Sequence, residues 1–207
     1  NREYLESLVA DCMRELDLKD IVNETEKATF IIYAYDEYGS PKGTGSGFFI
    51  DSKGVGITNY HVLDGAVKAI LKTSDEKEYE IDQVLASDRK WDIIKFSIKN
   101  TGNESFEYLE FAKKEVEKGD KVYNISSPMG LEASVSEGIV SSIRTDKRYG
   151  QTIQTTASIS SGSSGSALLN ENGEVFAVAT FKYDKGENLN FGVSINKEKL
   201  DSLEKND

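Results

Sequence analysis

The sequence predicts an all-β fold of two six-stranded antiparallel barrels, one after the other, with a helix before them and a short helix after. Three observations lead there. Short branched and apolar segments alternate with turn-rich ones from residue 29 almost to the C-terminus. They fall into two groups of six, parted by a less regular connection containing TGNES. The 207 residues, 38% hydrophobic, can bury one large core or two small ones.

Taken in order, the chain starts with the stripe Leu5, Leu8, Val9, Cys12, Met13, Leu16, whose spacing of three and four predicts an amphipathic helix at about residues 3 to 17. Such a stripe suits packing on the barrels, on a partner or on an upstream domain. The first strands are TFIIYAY (29 to 35), SGFFI (46 to 50), VGITN (55 to 59), AVKAILK (66 to 72), EYEIDQVL (78 to 85) and DIIKFSI (92 to 98). DEYGSPKG, DSKG, TSDEK and ASDRK separate them, all rich in turn formers. The second group reads KVYNI (121 to 125), ASVSEGIVSSI (133 to 143), TIQTT (152 to 156), SALL (166 to 169), EVFAVATF (174 to 181) and NFGVSI (190 to 195). Asn172-Gly173 is its strongest hairpin signal, and NKEKLDSLEK predicts the closing helix. The expected organisation is a helical segment over 1–23, a first barrel over 24–110 and a second barrel with its helix over 111–207, forming one functional unit.

Composition excludes several classes. A net charge of −11 with no cluster of Lys and Arg argues against a nucleic-acid partner. One cysteine, Cys12, and one histidine, His61, can form neither an internal disulfide nor a Cys/His zinc site, so neither metal nor cofactor is expected. No apolar run is long enough to span a membrane as a helix. Because the first residue is Asn rather than Met, the chain reads as processed or subcloned, and a signal peptide or anchor upstream would be invisible in it.

The lone histidine is a constraint. If the chain uses a Ser-His-Asp device, His61 in GVGITNYHVLDG must be the base. It precedes the serine-rich stretch SISSGSSGSALL, which rules out the order of an α/β-hydrolase, and GSSGS lacks the second glycine of G-x-S-x-G. The order His, Asp, Ser fits two barrels, the first giving base and acid and the second the nucleophile. Asp92, opening the apolar strand WDIIKFSI, is the best acid, because a carboxylate there needs a partner to offset burial. Asp88 reads as a turn residue. Among the serines, Ser164 has a glycine two positions before it, which allows the backbone of Gly162 and Ser164 to aim two N–H groups at a developing oxyanion.

Those residues also carry a resemblance. GSGFFI, TNYHV, WDIIKF, SSPMGLEASVSEGIVSSI, QTTASISSGSSGSALLN and NFGVSI follow in order the segments of trypsin-like serine proteases, and resemble most the protease domain of the HtrA (DegP-like) branch, over roughly residues 24 to 196. The resemblance implies a chymotrypsin-like fold and a serine endopeptidase with His61 as base, Asp92 as its orienting acid, Ser164 as nucleophile, and Gly162 and Ser164 as the oxyanion hole. It implies a pocket formed by Ser158, Ala179, Thr180, Phe181, Phe191 and Gly192, with Ser158 at the floor. A neutral floor favours small or medium apolar side chains over Lys or Arg. Peptides or unfolded proteins are the implied substrates, a homo-oligomer or a flanking domain reached through the N-terminal helix the implied partners, and the bacterial cell envelope or exterior the implied location. The turn departs from the family's GNSGGPL at Ser163, Ser166 and Ala167, and GSSGS is similar also to the GNSGS of glutamyl endopeptidases, whose pocket histidine this chain lacks. A catalytically weak or inactive peptide-binding module on the same fold is the alternative. Ser163 stands where trypsin has an aspartate that receives a new N-terminus, so activation by N-terminal cleavage is not expected.

Overall fold

The computed structural model describes residues 17–100, 102, 104–126, 134–160, 162–182 and 189–203. The helix expected at 3 to 17 lies outside them, apart from Asp17. The chain enters through α1 (Leu18–Thr25) and a 3₁₀ turn (Glu26–Ala28). Six strands follow: β1 (Thr29–Tyr35), β2 (Pro41–Phe49), β3 (Gly56–Thr58), β4 (Lys68–Thr73), β5 (Glu78–Asp88) and β6 (Ile93–Ile98), with the single turn α2 (Tyr60–Leu63) between β3 and β4. The second six are β7 (Lys121–Ser126), β8 (Ser134–Asp146), β9 (Gly150–Thr155), β10 (Ala167–Leu169), β11 (Val175–Lys182) and β12 (Asn190–Ser194), and α3 (Lys197–Asp201) closes the described chain.

Each set closes on itself, in the orders β1-β2-β3-β6-β5-β4 and β10-β11-β12-β9-β8-β7, with every named pair antiparallel. Closure leaves no free sheet edge. All twelve expected strands are present, and β1 has the expected bounds. Asn172-Gly173 falls in the β10–β11 turn, where the amides of Asn172 and Glu174 both donate to Asn170 Oδ1. The α1 helix was not foreseen as an element of its own.

Side chains alternate across each strand, so one set fills a barrel and the other faces the neighbouring barrel or solvent. Phe30, Ile32, Phe49, Leu71 and Phe96 fill the first interior. Val122, Val140, Ile153, Leu168 and Ala177 fill the second. A third cluster joins residues of both, among them Phe48, Ile57 and Ile93 with Ile125, Leu169 and Val193, and takes in Ile21 of α1 and Leu200 of α3. This shared core fixes the barrels against each other. No helix among the described residues is long and apolar enough to cross a membrane.

Candidate active site

β3 delivers the chain into α2, and the second residue of that turn is His61, whose ring is half exposed. Asp92 sits one residue before β6, 7% exposed, in the left-handed region at φ 56°. That conformation costs a non-glycine residue about 1–3 kcal/mol, and surrounding bonds must hold it. Four do. The Asp92 carbonyl accepts from Tyr60 N (3.1 Å) and Asn59 Nδ2 (2.9 Å). One carboxylate oxygen, Oδ1, accepts from His61 N at 2.8 Å, and Oδ2 lies 2.7 Å from His61 Nδ1. Because an ionised carboxylate only accepts, it favours the proton on Nδ1 and leaves Nε2 of a neutral ring free to take one. The backbone amide of the neighbouring Trp91 donates to Asp88 Oδ1 at 2.8 Å, so Asp88 closes the turn before Asp92.

Gly162 and Gly165, at φ 92° and 91°, bend the chain around Ser163 and Ser164. A Cβ at Gly165 would overlap Ser46 O and Thr58 Oγ1, so the turn lies directly against β2 and the end of β3, just before α2. Ser46, 1% exposed, binds it twice: its amide donates to Ser164 O (2.8 Å) and its hydroxyl to Gly162 O (2.7 Å). Gly165 N donates across to Ala179 O at 2.8 Å. The amides of Gly162 and Ser164 have no acceptor among the described residues. The partly exposed Ser164 hydroxyl likewise has no hydrogen bond among the described residues, including none to His61.

Below the turn lies a layer of neutral polar groups. Ser163 Oγ meets Ser126 Oγ at 2.9 Å and Ser160 Oγ at 3.1 Å. Ser166 Oγ donates to Asn124 Oδ1 at 2.7 Å, and Asn124 Nδ2 donates to Ser158 O at 3.0 Å. Buried polar groups satisfied in this way rigidify a core.

Of the expected pocket residues, Ser158 is exposed and its carbonyl is held by Asn124 and Ser136. Ala179 and Thr180 are buried on β11. Phe181 pairs with Phe191 and Ala179 with Gly192 across β11 and β12, and Gly192 packs against Leu168. Asn190 reaches under this region, its Nδ2 donating to Ala157 O at 3.0 Å. Sequence reading missed Asn59, Ser46, Asn124 and Ser126. Of these, Asn59 alone had a local signal, standing two residues before the expected base in TNYHV, whereas Ser46 is 116 positions from Gly162, whose carbonyl it holds.

On the far side of Trp91, Lys199 of α3 places Nζ 4.4 Å from the centre of the indole ring and donates to Ser194 O at 2.7 Å. Burial lowers its pKa from the ordinary 10.5 to about 8, with Asp88 pulling weakly the other way.

No group of three or more His, Cys, Asp or Glu among the described residues could hold a metal ion. The residues bring together an imidazole bonded to a buried carboxylate and, packed against the end of β3, a turn bearing a hydroxyl and two amides without an acceptor among the described residues.

Comparisons with known proteins bear on the family and the fold. Residues 45–178 match the trypsin-like peptidase domain. The chain is 32% identical over 165 residues to a Synechocystis protein named as the serine protease HhoA, a match covering 76% of this chain and 41% of that protein. It is 34% identical over 158 residues to the periplasmic serine endoprotease DegP of Escherichia coli, covering 73% of this chain and 33% of the relative. It thus spans about a third to two fifths of the length of these relatives. A crystal structure of the serine endoprotease from Yersinia pestis superposes with a TM-score of 0.75 at 26% identity, covering 86% of this chain and 62% of the other. The chain belongs to the trypsin-like peptidase family, among relatives of the HtrA and DegP kind.

Proposed function

We propose that this chain is a serine endopeptidase in which Ser164 attacks the peptide carbonyl and forms an acyl-enzyme. His61 Nε2 takes the hydroxyl proton and returns it to the leaving amine, while Asp92 holds the ring and stabilises its charged form. The amides of Gly162 and Ser164 stabilise the oxyanion. The observation that carries the reading is the buried carboxylate 2.7 Å from Nδ1 of the chain's one imidazole, with Nε2 left for a nucleophile. Ligand-free sites commonly leave the nucleophile–base bond loose, and it tightens as substrate binds.

Peptides and unfolded proteins are the substrates this reading implies. A neutral Ser158 favours small or medium apolar residues before the scissile bond. The Escherichia coli relative, named as periplasmic, supports an extracytoplasmic setting, and a homo-oligomer or a flanking domain is the expected partner.

A second reading, a peptide-binding module with little turnover, draws on the missing hydrogen bond between Ser164 and His61. Labelling by a fluorophosphonate separates the two. The endopeptidase labels, Ser164→Ala does not, and Ser163→Ala still does. An unlabelled wild-type chain favours the binding module.

A further inference from the structure

Asn59 holds the N-cap position of α2, where an asparagine side chain ordinarily accepts from an amide of the first turn. It makes no such bond. The amide of His61 donates instead to Asp92 Oδ1, so the acid caps the helix from a distant part of the sequence. The Asn59 side chain points the other way, with Nδ2 donating to Asp92 O at 2.9 Å and to Thr180 Oγ1 at 3.1 Å. Thr180 spends its own hydroxyl proton on Val178 O at 2.9 Å and can only accept from Asn59. The direction of the amide is thereby fixed, since turning it over would set an oxygen against two acceptors.

Asn59 is 0% exposed, and its Oδ1 is the one buried side-chain nitrogen or oxygen without a partner among the described residues. Leaving a buried acceptor unpaired is unfavourable. Capping α2 would give that oxygen a partner but would release the Asp92 carbonyl. The fold has the second bond and forgoes the first.

We propose that Asn59 is a positioning residue: it holds Asp92 in its left-handed conformation, so that both carboxylate oxygens face His61, and through Thr180 it ties the acid to β11 of the other barrel. This rests on the endopeptidase reading for its catalytic consequence, but the positioning itself can be read without substrate. The chain has one histidine and one tryptophan, which is next to Asp92. The Nδ1–H proton resonance therefore reports the His61–Asp92 bond alone, and Trp91 emission reports the surrounding fold.

The test is Asn59→Ala, followed by NMR, tryptophan emission and steady-state kinetics on a peptide substrate. The expected result is a folded protein whose Nδ1–H resonance moves upfield and whose kcat falls about 10- to 100-fold, as a displaced catalytic group would cause, with KM within about twofold. A folded variant with wild-type resonance and kcat overturns the proposal. Should Asn59→Ala not fold, Thr180→Val decides: a smaller change in the same direction upholds it, and none overturns it. A wild-type chain without turnover or labelling removes the endopeptidase reading, while a resonance that moves in Asn59→Ala still upholds the hold on Asp92.

Discussion

The first barrel fills its interior with aromatic rings, Phe30 within 4.6 Å of Phe49 and 6.0 Å of Phe96 between centroids. The second uses mostly aliphatic and small side chains, with the ring of Phe176 among them, and sets beside them a layer of buried hydroxyls and amides. The contrast follows the two halves of the site. From the first barrel come the side chains proposed to move a proton, His61 and Asp92, with both carboxylate oxygens engaged. The second contributes a backbone turn, and what holds that turn is neutral. Charge suits the first task because it selects one tautomer and offsets a developing imidazolium. Neutral hydroxyls suit the second, where amide direction matters and a buried unpaired charge would be strongly destabilising.

If that division is right, the largest effect comes from removing charge in the first barrel while keeping shape. Asp92→Asn should leave α2 capped through Oδ1 but offer Nδ2 as a donor to the ring, forcing the proton onto the wrong nitrogen. A fall of about 10⁴-fold in kcat is expected, with little change in KM. Steady-state kinetics on a peptide substrate checks it, and a fall of less than about tenfold would break the comparison.

The same operation in the second barrel should be milder. Ser163→Ala removes a hydroxyl shared by Ser126 and Ser160, leaving the buried Ser126 hydroxyl short of a partner. Such a loss costs about 1–3 kcal/mol of stability, and roughly tenfold in kcat is expected from a loosened oxyanion turn, below the effect of deleting a donor outright. Denaturant melts and turnover measure the two. Since the layer carries no ion, neither effect should depend on salt. Strong salt dependence of the difference would show that a charge had been overlooked.

How far these parts were legible in the sequence follows from how local each signal is. β1 reads directly from TFIIYAY, because alternation and branching lie within seven residues. The position of β2's start was hidden by Pro41 and Gly43, which signal a turn, yet Pro41 opens the strand and pairs with Tyr35, a place where its missing N–H is tolerated. α1 had a signal in Leu18, Ile21, Val22 and Thr25, spaced for one helix face, but the segment is short and mostly polar, and only the shared core shows why it folds. The meeting of His61 with Asp92 was legible from the chain's one histidine and from an acid placed at the start of an apolar strand of the first barrel. Asn59 was not, since α2 has a single turn and no period to detect, and its partners Asp92 and Thr180 are 33 and 121 positions away. The layer under Ser163 was hidden for the same reason. Composition alone would make SISSGSSGSALL a linker and its strand-like flanks make it a turn, but only closure of the barrel brings Asn124 and Ser126 beneath it.

The smallest expected effect lies where the two barrels meet, at Lys199 over Trp91. Here a charge from the C-terminal helix rests on the residue next to Asp92, held by an indole face and one carbonyl. Burial lowers the lysine to about 8, so the folded chain releases the proton before the unfolded chain does. Between pH 8 and 10.5 the unfolded state holds more protons, and this group adds stability as pH rises through that window. Below it both states are charged and the contribution is flat. Lys199→Met should remove the slope, narrowing the wild type's gain from pH 8 to pH 10 by on the order of 1 kcal/mol once solvent at the half-buried chain is allowed for. In a protein of this size that is a change of roughly 2–4 °C in Tm. Melting curves of both proteins at the two pH values give the difference directly, and parallel pH dependence would mean that Lys199 keeps its ordinary proton affinity and that the helix is held on Trp91 by packing alone.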